Sequence, residues 1–163
     1  MLNKDFKDFI KLLNENDVHY IIIGGYALAF HGFPRYTKDL DIWIELSPEN
    51  ADNVLKALDD FGFGSLGLKP EDFLESDQII QLGYPPNRID LLTTLKDIIF
   101  EDCYKARVVV NIQGLKINFI DLENLKKNKD SNESLTISIA AVSAKFNNGK
   151  KSKSSSKDSN SGW

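Results

Sequence analysis

Cysteine is almost missing from this chain: Cys103 is the single one among 163 residues, so no internal disulfide can form. A lone cysteine fits a reducing compartment, and the cytoplasm is the location the sequence predicts. A catalytic thiol is disfavoured, because Cys103 sits in a helix-like segment with no histidine nearby. Long apolar runs are lacking too. The longest surrounds Gly24-Gly25 and is too short to span a bilayer. The first residues, Met1-Leu-Asn-Lys-Asp-Phe-Lys-Asp-Phe, are too charged for a signal peptide, so no membrane association is expected. An excess of positive charge is absent as well: 20 Lys and Arg stand against 24 Asp and Glu, for a net charge of −4. With a pI near 5.2, that argues against a broadly cationic nucleic-acid coat and leaves room only for a local basic groove. No internal repeat is found. What remains is ordinary: 42% hydrophobic and 27% charged residues, enough for one globular domain with one core.

The chain is organised around Tyr20 to Glu45, which holds two chemical devices. The first is the β-branched run Tyr20-Ile-Ile-Ile, ending in Gly24-Gly25 and passing into helix-like Tyr26-Ala-Leu-Ala-Phe. Paired glycines let the backbone turn tightly and approach a ligand closely. Their N–H groups, with the free donors of a helix start, can cradle an anion such as phosphate. The second device is Asp39-Leu-Asp-Ile-Trp-Ile-Glu. Leu40, Ile42 and Ile44 alternate as in a strand with one buried face. Asp39 and Asp41 then project together from the other face. Two carboxylates so close repel unless a cation lies between them, and oxygen ligands of this kind suit Mg²⁺ or Mn²⁺ together with substrate phosphates. A phosphate cradle followed by a carboxylate pair is equipment for phosphoryl transfer.

Around this centre, Asn3 to Asn14 carries Phe6, Phe9, Ile10 and Leu13 at helical spacing. Ser47-Pro-Glu-Asn starts a helix that stops at Gly62, followed by a glycine-rich loop to Gly67 and a short helical turn near Lys69. Gln78 to Tyr84 and Arg88 to Thr93 read as strands. If the second lies beside the Asp39–Asp41 strand, Asp90 completes a three-carboxylate cluster. Asp97 to Ala106 reads as helix, the runs flanking Gln113-Gly114 as a hairpin, and Leu122 to Lys129 as a last helix capped by Asp121. His19 is expected on the surface at a strand start, and His31 at a helix end as a structural residue rather than a general base. The expected organisation is a domain over 1–129, an appended segment over 130–146, and a disordered Lys/Ser/Asn-rich tail over 147–163.

The order strand, Gly-Gly, helix, then Asp-x-Asp in a strand resembles the signature of the nucleotidyltransferase superfamily with the DNA polymerase β-like fold. Gly24-Gly-Tyr-Ala-Leu-Ala-Phe-His-Gly-Phe-Pro-Arg-Tyr-Thr-Lys-Asp-Leu-Asp-Ile, with the later Pro85-Pro-Asn-Arg-Ile-Asp-Leu-Leu-Thr, is similar to one branch of it. That branch comprises small bacterial nucleotidyltransferase-like proteins related to toxin–antitoxin and abortive-infection nucleotidyltransferases. The resemblance covers roughly Phe6 to Lys129. It implies that Gly24 and Gly25 hold the nucleotide's phosphates, and that Asp39 and Asp41 are paired metal carboxylates. Asp90 matches the third carboxylate, which serves the acceptor hydroxyl. Arg35, Thr37 and Lys38 match positions where a basic residue could steady the triphosphate; for Arg35 a surface ion pair is an equal reading. The chain departs from the branch after Asn124-Leu-Lys-Lys-Asn-Lys: Asp130-Ser-Asn-Glu-Ser-Leu-Thr-Ile stands where a Gly-Arg-containing turn and an acidic helix are usual.

The expected fold is therefore α/β (α+β), a small mixed sheet with helices mainly on one side. The expected function is metal-dependent transfer of a nucleoside monophosphate from an NTP to an acceptor hydroxyl on RNA (a tRNA end), protein or a small molecule, with release of pyrophosphate. Two alternatives stand beside it: an inactive module that binds nucleotide or a partner protein in a toxin–antitoxin-type pair, and a carboxylate cluster without a ligand.

Overall fold

The computed structural model describes residues 2–33 and 36–129. The 130–146 segment and the 147–163 tail lie outside the described residues, as does Arg35. The elements run α1 Lys4–Glu15, β1 Tyr20–Ile23, α2 Gly24–Phe30, β2 Leu40–Ile44, α3 Pro48–Asp60, β3 Ile79–Leu82, β4 Ile89–Leu92, α4 Phe100–Ala106, β5 Val108–Ile112, β6 Leu115–Phe119 and α5 Leu122–Lys129. Two 3₁₀ turns, Gly64–Leu66 and Pro70–Phe73, lie between α3 and β3. The fold is mixed α/β, as the sequence pattern predicts.

The six strands form one mixed sheet in the order β3-β4-β2-β1-β6-β5. β1 and β2 pair antiparallel, while β2 runs parallel to β4 and β1 parallel to β6. The outer pairs, β3 with β4 and β5 with β6, are antiparallel. The central strands β1, β2 and β4 are buried along most of their length, and their β-branched and aliphatic residues supply the core. Trp43, on the same face of β2 as Asp41, meets Phe100 of α4 edge-on at 5.1 Å and gives its indole N–H to the carbonyl of Thr93 at 3.3 Å. Leu40, Ile42 and Ile44 on the opposite face are fully buried. Phe6 and Phe9 of α1 pack edge-on against Tyr26 and Phe61, tying α1 to α2 and to the end of α3.

The helix ends follow the chemistry of their residues. Ser47 Oγ accepts the Asn50 N–H at 3.1 Å, with Pro48 in the first turn of α3. Asp121 accepts the Asn124 N–H at 3.3 Å at the start of α5. One expected element is shorter than its pattern: α4 begins at Phe100, not Asp97. Asp97 has φ 65°, in the left-handed region, and Ile99 is extended, so neither belongs to the helix. The expected strand from Gln78 to Tyr84 is likewise cut to Ile79–Leu82, with Gly83 turning the chain at φ 83°. Among the described residues, no helix is long and apolar enough to cross a membrane.

Candidate active site

The sheet register assembles the carboxylates. Asp41 is the partner of Ile23 on β1 and of Asp90 on β4. The glycine turn that follows Ile23 and the third carboxylate therefore flank one residue of the central strand. Asp39 lies two positions before Asp41, at the entrance to β2, and the N–H of Leu40 donates to the carbonyl of Arg88 at 3.0 Å. Asp39, Asp41, Arg88 and Asp90 thus meet at one end of the parallel β2–β4 pair.

Arg88 binds this group together. One terminal nitrogen, Nη2, donates to Asp39 Oδ2 at 2.7 Å and to Asp90 Oδ2 at 3.2 Å. Its Nε lies 3.0 Å from Asp90 Oδ1. That last contact is an ion pair whose geometry is off line for a hydrogen bond, because Arg88 Nε and Asp90 Oδ1 both remain without a hydrogen-bond partner. Asp39 Oδ1 is buried and unpartnered too. The Asp41 carboxyl is pushed up to about 7, first by burial and then by the charges of Asp90 and Asp39, with Arg88 pulling the other way. Burial also raises Asp90, and Arg88 opposes that shift.

The glycine pair is fixed by what it touches. Gly24 has φ +68°, and a Cβ there would collide with the Asp41 carboxylate. A Cβ on Gly25 would lie 2.7 Å from Thr37 Cβ and Oγ1. The Thr37 hydroxyl in turn donates to the carbonyl of Asp39 at 3.2 Å. The turn is thus pressed against both the carboxylate strand and the segment leading into it. Gly24, Gly25, Thr37, Lys38, Asp39 and Asp41 together line a cavity of about 450 Å³. Leu125 and Asn128 of α5 close part of its wall. Lys38 also lies 5.8 Å over the ring of Tyr36, another residue of that wall. Apart from Arg35, every predicted site residue lies in the cavity or in the carboxylate cluster beside it.

Arg88 was not among the predicted site residues. The signal was available: it stands two residues before Asp90, on the same face of an extended segment. The histidines behave as expected. His31 caps α2, and its Nε2 lies 2.7 Å from the carbonyl of Ile120. A carbonyl only accepts, so that nitrogen carries the proton and holds a structural bond. His19 is a surface residue paired with Glu45 at 3.0 Å.

The residues fit a hard divalent cation in their donor chemistry: three carboxylates share one end of the sheet, and two buried carboxylate oxygens lack a hydrogen bond. They are not spread as a finished cage. Among the described residues no three His, Cys, Asp or Glu side chains are placed to hold a metal ion as they stand, and the Arg88 guanidinium takes the bridging position.

No family model and no curated protein matches the chain. Among solved structures it is similar to a "putative nucleotidyltransferase" from Thermotoga maritima, with a TM-score of 0.54 over 91% of each chain at 16% identity. At that identity the likeness establishes the fold alone. The fold is nucleotidyltransferase-like.

Proposed function

We propose that the chain is a metal-dependent nucleotidyltransferase that moves a nucleoside monophosphate from an NTP to an acceptor hydroxyl. The observation that carries this reading is the in-register pairing of Asp41 with Asp90 beside the Gly24–Gly25 turn. The cavity lined by that turn, Thr37 and Lys38 receives the triphosphate, with backbone at the glycines able to approach it closely. Lys38 offers it a positive charge. Mg²⁺ or Mn²⁺ held by Asp39, Asp41 and Asp90 would neutralise phosphate charge and lower the pKa of the acceptor hydroxyl. The acceptor hydroxyl gives its proton to the Asp90 carboxylate and on to solvent as its oxygen bonds to the α-phosphorus; the bond from that phosphorus to the oxygen bridging to the β-phosphate breaks, and pyrophosphate leaves. Asp90 faces the acceptor side in this assignment. RNA, a protein side chain or a small molecule supplies the hydroxyl, and a cytoplasmic setting suits the buried lone thiol of Cys103.

A second reading is favoured by one observation, the Arg88 bridge across Asp39 and Asp90. In it the chain is an inactive module that binds nucleotide, or a partner protein in a toxin–antitoxin-type pair, with the arginine standing permanently in for the cation. The two readings are separated by incubating the protein with each labelled NTP, Mg²⁺ or Mn²⁺, and an RNA-plus-protein extract. Label moved to an acceptor supports the transferase. A melting curve raised by nucleotide whether or not metal is present, without transfer, supports the module; ligand at about 100 times its dissociation constant should add about 2.7 kcal/mol. No shift with any of the four NTPs removes the nucleotide site from both.

A further inference from the structure

We propose that Arg88 is a tethered counter-cation: it holds the carboxylate cluster together in the metal-free protein and must leave when a divalent ion arrives, so it sets the affinity for metal. This rests on the metal-site reading of Asp39, Asp41 and Asp90 and deepens it. Arg88 precedes β4, and its backbone carbonyl is locked into the sheet by the Leu40 N–H at 3.0 Å. The side chain extends from that anchored backbone. That side chain carries three contacts, at 2.7, 3.2 and 3.0 Å, to Asp39 at the entrance to β2 and to Asp90 on β4.

Three features make this bridge a competitor of a cation rather than a permanent fixture. First, it is incomplete. One guanidinium charge stands beside three carboxyl groups and contacts two of them, and Asp39 Oδ1 and Asp90 Oδ1 still accept no hydrogen bond, although Asp90 is only 7% exposed. Native structures rarely leave such atoms unpaired without a functional reason. Secondly, the bridge engages two of the carboxylates that would hold a metal, since Asp39 Oδ2 and Asp90 Oδ2 accept from one nitrogen. Thirdly, the arginine has a way out: its side chain is 27% exposed, and its charge persists when it turns to solvent. A fully buried partner would be trapped by desolvation. Arg88 is thus a positioning residue, acting on the metal through the carboxylates it releases.

The test uses the full-length protein without nucleotide, titrated with Mn²⁺ and read by electron paramagnetic resonance of the free ion. Arg88→Gln should bind Mn²⁺ at least tenfold more tightly than wild type, and Arg88→Lys, which keeps the charge, should stay near wild type. A circular dichroism melt confirms that each variant is folded. A second measurement needs no variant. The chain has three arginines, Arg35, Arg88 and Arg107, so their side-chain ¹⁵Nε resonances can be followed in wild type. Mg²⁺ should move the Arg88 signal toward that of a solvent-exchanging guanidinium and leave Arg107 in place. Folded Arg88→Gln with equal or weaker Mn²⁺ binding overturns the proposal. So does an Arg88 signal that stays still while the aspartate carboxyl resonances respond to Mg²⁺. No Mn²⁺ bound by any of the proteins, with carboxyl resonances unmoved, overturns the metal-site reading along with it.

Discussion

Asp41 and Asp90 are register partners on the parallel strands β2 and β4, so two carboxyl groups far apart in sequence leave the sheet side by side. Neither can ionise without cost to the other, and burial adds to the cost.

This arrangement makes the metal-free fold sensitive to pH. Asp41 is raised from 3.8 to about 7 in the folded protein, so the folded state holds this proton more tightly than the unfolded chain does. Its contribution to stability is fully present below about pH 4 and is lost as the pH rises through about 7. Asp41→Asn has no such proton to lose. In the presence of chelator the variant should therefore gain stability relative to wild type between pH 4 and 8, by an amount on the order of a few kcal/mol at most. Parallel urea titrations at pH 4.5, 6 and 8 measure it. A stability difference that is flat across that range would mean that Asp41 is ionised in the folded protein at all three values.

Much of this site was legible from local pattern, and the rest was not for a definite reason. Alternation in Leu40, Ile42 and Ile44 placed Asp39 and Asp41 on one face, because a strand's period of two is a property of the strand alone. Asp90 could be placed only conditionally, since its position depends on which strands are neighbours. The β2–β4 pairing supplies that condition. For Arg88 the local pattern reaches only its shared face with Asp90; its bridge to Asp39 needs the parallel register, which no local pattern encodes. The same holds for Gly25 against Thr37, where the need for glycine comes from a loop packed across it rather than from the turn itself. The overlong α4 had the opposite cause. Helical spacing continued through Asp97, but that residue adopts a left-handed conformation, which the spacing of apolar residues does not report.

The glycine turn should tolerate no side chain. Gly24→Ala places a Cβ in the left-handed region and against the Asp41 carboxylate at once. A loss of about 1–3 kcal/mol is expected. Gly62→Ala is a matched control: it also has positive φ, at +99°, but open space around it, so it reports the backbone cost alone. A Gly24→Ala variant no less stable than Gly62→Ala in chemical denaturation would show that Asp41 yields without penalty.

Cys103 should be chemically silent until the protein opens. It is 1% exposed, and burial, helped by the charges of Asp121 and Asp102, pushes its thiol up to about 11. Little thiolate exists at neutral pH, and what forms is inaccessible. Reaction with a chromogenic disulfide reagent at pH 7.5 should follow the unfolding transition measured by circular dichroism. Fast reaction of the native protein, well ahead of that transition, would mean that α4 opens locally.

The sharpest comparison is between Asp41→Asn and Asp90→Asn. Both keep the shape of the side chain and remove one carboxylate from the cluster, so both should fold. Asp41→Asn also relieves repulsion between register partners. Asp90→Asn, by contrast, deprives the Arg88 guanidinium of one of its two acidic partners, and its metal-free stability should gain less. Under the proposed transferase reading, charge stabilisation at the transferring phosphate is worth several kcal/mol. At about 1.4 kcal/mol per decade, either substitution should slow transfer roughly a thousandfold or more. The two should differ in binding. Asp41 lines the cavity with Gly24 and Gly25, so its loss should weaken NTP affinity strongly; Asp90, assigned to the acceptor side, should affect affinity less. Label transfer and NTP-dependent melting shifts, measured on wild type and both variants, separate these effects. Equal transfer by all three folded proteins would mean that the carboxylates are not the catalytic site. An intact nucleotide shift in wild type, with no transfer to any acceptor, would assign the same cluster to the binding module instead.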